Sequence, residues 1–179
     1  MDIETLRTER LLIRPANTED ARFMLELLNS PGWIKYIGDR NVSNIDLAKT
    51  YIQERLIRSY QQNGHGLMVV EDHSKNPLGL CGLLKRSYLE APDLGFAILP
   101  QHEGQGYMYE SSKAIIQEGI SKLGLKEVYA TTLKSNQRSQ RLLRNLGFKY
   151  QRNMRIGTLD QEVQLFALAT EIAKTSDSR

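Results

Sequence analysis

A chain of 179 residues with a formal net charge of +3 is long enough for one domain with a full core and too short for two comfortable ones. Charged residues at 25% beside an apolar 40% exclude an intrinsically disordered chain, and without a Lys/Arg stripe no nucleic-acid partner is expected. No apolar run approaches membrane-spanning length, so no membrane partner is expected either. Met1-Asp2-Ile3-Glu4 lacks the basic and apolar regions of a secretory signal, and a single cysteine fits a reducing cytoplasm.

Glu9 to Arg14 is a short apolar run flanked by charge, a first strand closed by Pro15. Asn17 or Thr18 can cap a helix with Glu19 and Asp20 in its first turn, where the helix dipole favours acids. Its apolar face is Phe23, Leu25, Leu27 and Leu28, and Asn29-Ser30-Pro31-Gly32 stops it. Trp33 to Arg40 reads as a loop whose aromatics, Trp33 and Tyr36, either wall a substrate groove or plug the end of the core. Ser43 or Asn44 caps a second amphipathic helix, ended by Asn63-Gly64.

From Gly66 the apolar period becomes that of strands. Leu67 to Val70, Leu78 to Leu84 and Asp93 to Leu99 make an antiparallel meander with tight connections. Cys81, between Leu80 and Gly82, reads as a buried strand thiol, and His73 as a solvated turn residue. A long helix from about Gly104 to Leu123 follows, then a strand from Glu127 to Leu133, a crossover that implies local parallel pairing. Ser135 or Asn136 caps a last helix that closes on Leu146-Gly147-Phe148. Two final strands, about Tyr150 to Thr158 and Glu162 to Ala169, meet around Leu159-Asp160, and they are available to pair across a homodimer. The expected organisation is one domain, 1–173, with a polar tail, 174–179.

The stretch that carries chemistry is Gln101-His102-Glu103-Gly104-Gln105-Gly106-Tyr107, between a strand and a long helix. Backbone N–H groups at a helix start lack internal partners, and the dipole there favours negative charge. Without side chains on Gly104 and Gly106, a diphosphate can approach the main chain closely. The alternative is an ordinary glycine-containing helix start. A P-loop is excluded because Tyr107 and Met108, not Lys and Ser or Thr, follow Gly106, and Tyr109 stands where a Rossmann fingerprint needs its third glycine.

Gln101-x-x-Gly104-x-Gly106 resembles the acyl-CoA signature of the GCN5-related N-acetyltransferases, the GNAT family. Thr8-Glu9-Arg10-Leu11-Leu12-Ile13-Arg14-Pro15 is similar to the opening of its Rim-type ribosomal-protein N-terminal acetyltransferase branch, and Asn136-x-x-Ser139 with Leu146-Gly147-Phe148 matches a segment of that branch. The order of elements, across essentially the whole chain, is that of the family. The implied fold is α/β (α+β): a mixed, mostly antiparallel sheet of about seven strands with a splayed pair, flanked by about four helices. Gln101-His102-Glu103 departs from a branch that often has aromatic and basic residues there, which puts side-chain contacts to phosphate in doubt but not those from the backbone.

The resemblance implies a cytoplasmic N-acetyltransferase that uses acetyl-CoA and no metal, and acetylates a primary amine in a ternary complex; a silent acyl-CoA sensor or scaffold is the alternative. On that reading Ile98 pairs with the pantetheine arm, Gly104, Gln105, Gly106, Tyr107 and Met108 give N–H groups to the diphosphate, and Asn136 holds the pantetheine amide. Asp93 is the leading general base and Glu110 the second, though Asp93 is equally a strand-edge turn former. Ser139 would give the leaving thiolate a proton or a hydrogen bond, unless it only bonds its own helix backbone. Trp33 and Tyr36 would border the acceptor, whose groove also draws on Trp33 to Asn44 and Leu159-Asp160-Gln161.

Overall fold

The computed structural model describes residues 3–156 and 162–170. The opening is two short antiparallel strands rather than one, β1 (Leu6–Arg7) and β2 (Leu11–Arg14), paired through Leu6 with Ile13. Asn17 caps a 3-10 turn, Thr18–Asp20, that leads into α1 (Ala21–Leu28). Its side chain accepts from the Glu19 N–H, while Asp20 accepts from the Asn17 N–H at 2.8 Å, so two helix-start donors are satisfied reciprocally.

The expected loop after α1 is in fact a helix, α2 (Pro31–Tyr36). Ser30-Pro31 stops α1, but Ser30 also accepts from the Trp33 N–H, and Pro31 fits the first helical turn, so the same residues end one helix and begin the next. Six residues are too few to show a helical period. Asn44 caps α3 (Ile45–Tyr51), which runs through a π-helical segment, Ile52–Ile57, into α4 (Arg58–Asn63), ending at Gly64.

The meander is β3 (Leu67–Asp72), β4 (Pro77–Leu84) and β5 (Asp93–Ile98). Then come α5 (Tyr107–Leu123), β6 (Glu127–Leu133), α6 (Gln137–Asn145), β7 (Lys149–Arg155) and β8 (Glu162–Ala169). The turn expected at Leu159-Asp160, with Gln161, and the 174–179 tail lie outside the described residues. One eight-stranded sheet results, ordered β1-β2-β3-β4-β5-β6-β8-β7, with β7 as an open edge. The count exceeds the expected seven because Leu6–Arg7 is too short to show periodicity.

All neighbours in the sheet are antiparallel except β5 and β6, which are parallel and meet only at Asp93 opposite Tyr129. Beyond that point β6 pairs with β8 along its whole length while β5 pairs with β4 alone. The sheet therefore opens into a V between β5 and β6.

The middle strands are buried on both faces, which is why they read as nearly continuous apolar runs. Met68, Val70, Cys81 and Leu83 pack with Ile115, Ile116 and Phe166 under α5. Val69 and Leu80 pack with Met24 and Leu27 of α1 and with Ile52 and Leu56 of the π-helical segment. At ~1.5–3 kcal/mol for a fully buried Leu or Ile side chain, these two layers hold the V rigid from either side. Cys81 is a core thiol, 3.4 Å from the Ser112 hydroxyl, its pKa pushed up to about 11 by burial. Among the described residues no helix is long and apolar enough to cross a membrane, and no group of three or more His, Cys, Asp or Glu is placed to hold a metal.

Candidate active site

Asp93 sits at the vertex of the V and is 2% exposed. One carboxylate oxygen accepts from the Thr131 N–H at 3.1 Å and the Thr131 hydroxyl at 3.4 Å; the other accepts from Arg86 Nε at 3.0 Å. Three elements are thereby tied together: β5, β6 and the loop after β4. Burial pushes the Asp93 carboxyl above the usual carboxylate range, against the opposing pull of Arg86 and Thr131.

At the other end of β5, roughly 17 Å away at ~3.3 Å per residue, the chain turns through Pro100–His102 into the glycine turn. Gly104 and Gly106 have φ of +77° and +81°, in the left-handed region that favours glycine. The helix begins at Tyr107 rather than Gly104 because Gly106 in that conformation is its cap. Its first hydrogen bond runs from the Glu110 N–H to the Gly106 carbonyl at 3.1 Å. The N–H groups of Gly104 to Tyr109 meet no acceptor among the described residues, and a Cβ on Gly104 would meet nothing within 4 Å. Arg10 braces the turn from outside, donating to the Gln105 carbonyl at 2.9 Å and lying over the Tyr107 ring.

The opposite wall is the N-terminal turn of α6. Asn136 caps it, its Oδ1 accepting from the Ser139 N–H at 3.1 Å, which leaves the amide Nδ2 without a partner among the described residues. The Ser139 hydroxyl likewise has none. Gln140 is buried and donates to the carbonyls of Leu133 and Lys134, at 3.3 and 2.8 Å, fixing α6 to the end of β6. Glu103 on the turn and Arg138 on α6 form an ion pair.

These walls bound one cleft of about 1490 Å³ that runs from the glycine turn past the splayed strands to α2 and α3. A family model described as an acetyltransferase (GNAT) domain matches residues 10–149. The chain belongs to the GNAT acetyltransferases. Among curated relatives, an uncharacterized N-acetyltransferase, YoaA, of Bacillus subtilis is 27% identical over 80% of this chain and 82% of its own. A spermidine N(1)-acetyltransferase of Vibrio cholerae is 24% identical over 78% and 79%. The fold is shared with a RimL ribosomal L7/L12 α-N-protein acetyltransferase solved in complex with coenzyme A, at TM-score 0.76, 16% identity and coverage of 93% and 98%.

This GNAT protein is thus an acetyl-CoA-dependent acyltransferase, and its residues fit that co-substrate. The fit rests on free amides at the glycine turn, an unpaired β5 edge ending at Ile98, and the free Asn136 amide nitrogen opposite. Ile98, Gly104, Gly106, Tyr107, Met108, Asn136 and Ser139 all line the cleft. The side chains of Gln101 and Gln105 do not: Gln101 donates to Glu26 at 3.0 Å, and Gln105 folds back on the Gln101 carbonyl at 3.3 Å. Trp33 and Tyr36 line the cleft, and Trp33 is also buried in the core, as the core-plug alternative expects.

Glu110 needs correction as a candidate base. Its carboxylate faces away from the cleft, accepting from the Thr8 hydroxyl at 2.6 Å and from Arg10 N–H and Nε at 2.9 and 2.7 Å. Burial raises its pKa, yet those donors outweigh burial and hold it below the ordinary value, opposite to what a base needs. One helical turn from the glycine cap pointed Glu110 at β2, not at the gap. Sequence reasoning missed Arg86, Thr131, Gln140 and the Glu103–Arg138 pair. The last departs from the family pattern at Glu103, and that departure was the one signal available.

Proposed function

We propose that this acetyltransferase moves an acetyl group from acetyl-CoA to a primary amine by direct attack in a ternary complex, the acceptor being a protein N-terminal α-amine or a small-molecule amine. The observation that carries this is the row of unpartnered amides from Gly104 to Tyr109, set across the V from an unengaged Ser139 hydroxyl. Acetyl-CoA supplies the activated acyl group as a thioester, seated with its diphosphate on those amides and its pantetheine along Ile98 and Asn136.

The chain's own residues then meet three demands. The amine must be neutral: at pH 7 an α-amine of pKa about 7.8 is neutral roughly one time in seven, a free lysine about once in 2,500. Asp93, with its raised pKa, accepts the amine proton through an intervening water. An unpaired N–H of β5 between Phe96 and Ile98 donates to the acyl oxygen as negative charge develops there, worth ~3–4 kcal/mol if it behaves like other such donors. Ser139 donates a hydrogen bond to the departing thiolate, and any proton it passes on is replaced from solvent in the open cleft.

A panel of amines with acetyl-CoA, read by thiol release, tests the reading. Turnover on at least one amine is expected. Tight CoA binding without turnover on any would make the protein a sensor or scaffold instead.

A further inference from the structure

Three acids line the cleft, and each is already paired: Glu54 with Arg58 at 2.7 Å, Asp93 with Arg86 at 3.0 Å, and Glu103 with Arg138. The cations are not matched in the same way. Arg40, Arg55 and Lys85 line the cleft and have no carboxylate partner among the described residues. They gather at the end away from the glycine turn. Lys85 and Arg86 directly follow Leu84, the β4 residue opposite Asp93 at the vertex. Arg40, Arg55 and Arg86 all act on the hydroxyl of Tyr51, which lines the same cleft.

Two further features mark this end as built rather than incidental. Arg55 lies in the π-helical segment Ile52–Ile57; such segments are rare and recur at functional sites. Trp33, which lines the same cleft, buries an indole N–H that has no acceptor among the described residues. This end of the cleft therefore offers unmatched donors and positive charge.

We infer that the acceptor is an amine whose own molecule carries a carboxylate close to the amino group, held by Arg40, Arg55 and Lys85, and that polyamines are excluded. The inference rests on the acetyl-transfer reading and narrows it. A polycation entering between three unpaired cations meets like-charge repulsion in a partly desolvated groove, whereas a carboxylate gains charge-assisted hydrogen bonds to guanidinium. The same cations disfavour the ammonium form of the bound amine and so raise the fraction able to attack. The carboxylate has two sources, a free amino acid or the acidic side chain of a peptide N-terminus, and they differ in whether the amine is attached to a chain.

The test compares four acceptors at saturating acetyl-CoA: glutamate, the peptide amides Ser-Glu-Glu-Ala and Ser-Gln-Gln-Ala, and spermidine. Glutamate or the acidic peptide should exceed both the neutral peptide and spermidine in kcat/KM by roughly tenfold or more, and which of the two leads identifies the source. Arg55→Glu should reverse the preference toward spermidine. Calorimetric titration of the same amines, without acetyl-CoA, gives a readout independent of turnover: saturable binding of an anionic amine, weakened roughly tenfold in Arg55→Gln. Turnover with spermidine or the neutral peptide at equal or better efficiency would overturn the inference while leaving acetyl transfer intact. Charge-dependent binding without turnover on any amine would do the reverse. Failure of both anionic amines to bind would overturn it outright.

Discussion

Asp93 and Ser139 line the same cleft, and the proposed mechanism gives them opposite tasks that substitution separates. Ser139→Ala should lower kcat roughly 10- to 100-fold, the scale of a positioned proton donor, with a smaller effect on the Michaelis constant for acetyl-CoA. An equal kcat would remove Ser139 from the chemistry. Asp93→Asn keeps the shape of the vertex and loses the charge. Because burial raises its pKa, wild-type kcat/KM should decline as pH falls through that raised value, and the asparagine variant should lack this acidic limb in a pH–rate profile. Glu110→Gln should leave kcat alone and destabilise the fold. Its folded pKa is depressed, so its contribution is present above the ordinary value of 4.5 and lost as pH falls through the folded one. With Arg10 44% exposed, solvent screening limits the loss to about 1 kcal/mol at pH 7. Denaturant melts at pH 7 and pH 3 should show that gap and its closure. Asp93 could be placed at the gap from sequence because a strand begins there. Its ties to Arg86 and Thr131 could not be, because they join residues 7 and 38 positions apart in the chain.

Among the elements, the glycine turn and the helix after it were legible because backbone conformation dictates residue type there: φ above +70° at Gly104 and Gly106 selects glycine. The caps were legible to within one residue (Asn17 or Thr18, Ser43 or Asn44, Ser135 or Asn136), since a helix start asks for a short polar side chain, and in each case the asparagine caps. Helix α2 and strand β1 were not, because six and two residues are shorter than the periods that reveal them. The π-helical stretch left no local mark either, although its Ile52 and Leu56 are buried in the core. Gly104→Val should raise the Michaelis constant for acetyl-CoA: the site is open in the free protein, so a side chain there meets the diphosphate rather than the fold. The strain of a branched residue at φ +77° adds to the effect. An unchanged constant in a folded variant would remove the turn from cofactor binding.

At the scale of the molecule, one break in one sheet makes the site. Six of the seven strand contacts close and the β5–β6 contact stays open beyond Asp93, since β8 occupies the whole of β6 and β4 the inner edge of β5. The sequence pattern carried the order of elements and the crossover, and the resemblance carried the splay. Neither carried the charge of the far end of the cleft, because Arg40 and Lys85 come from two loops and Arg55 from the π-helical segment, and no local pattern joins them. Everything downstream depends on a diphosphate seated on main-chain amides, and amide NMR during titration with coenzyme A observes those groups directly. The resonances of Gly104, Gln105, Gly106, Tyr107 and Met108 should move downfield, as hydrogen-bonded N–H groups do, and saturate together with Asn136. Saturable binding that leaves these amides unmoved while other resonances shift would contradict the account.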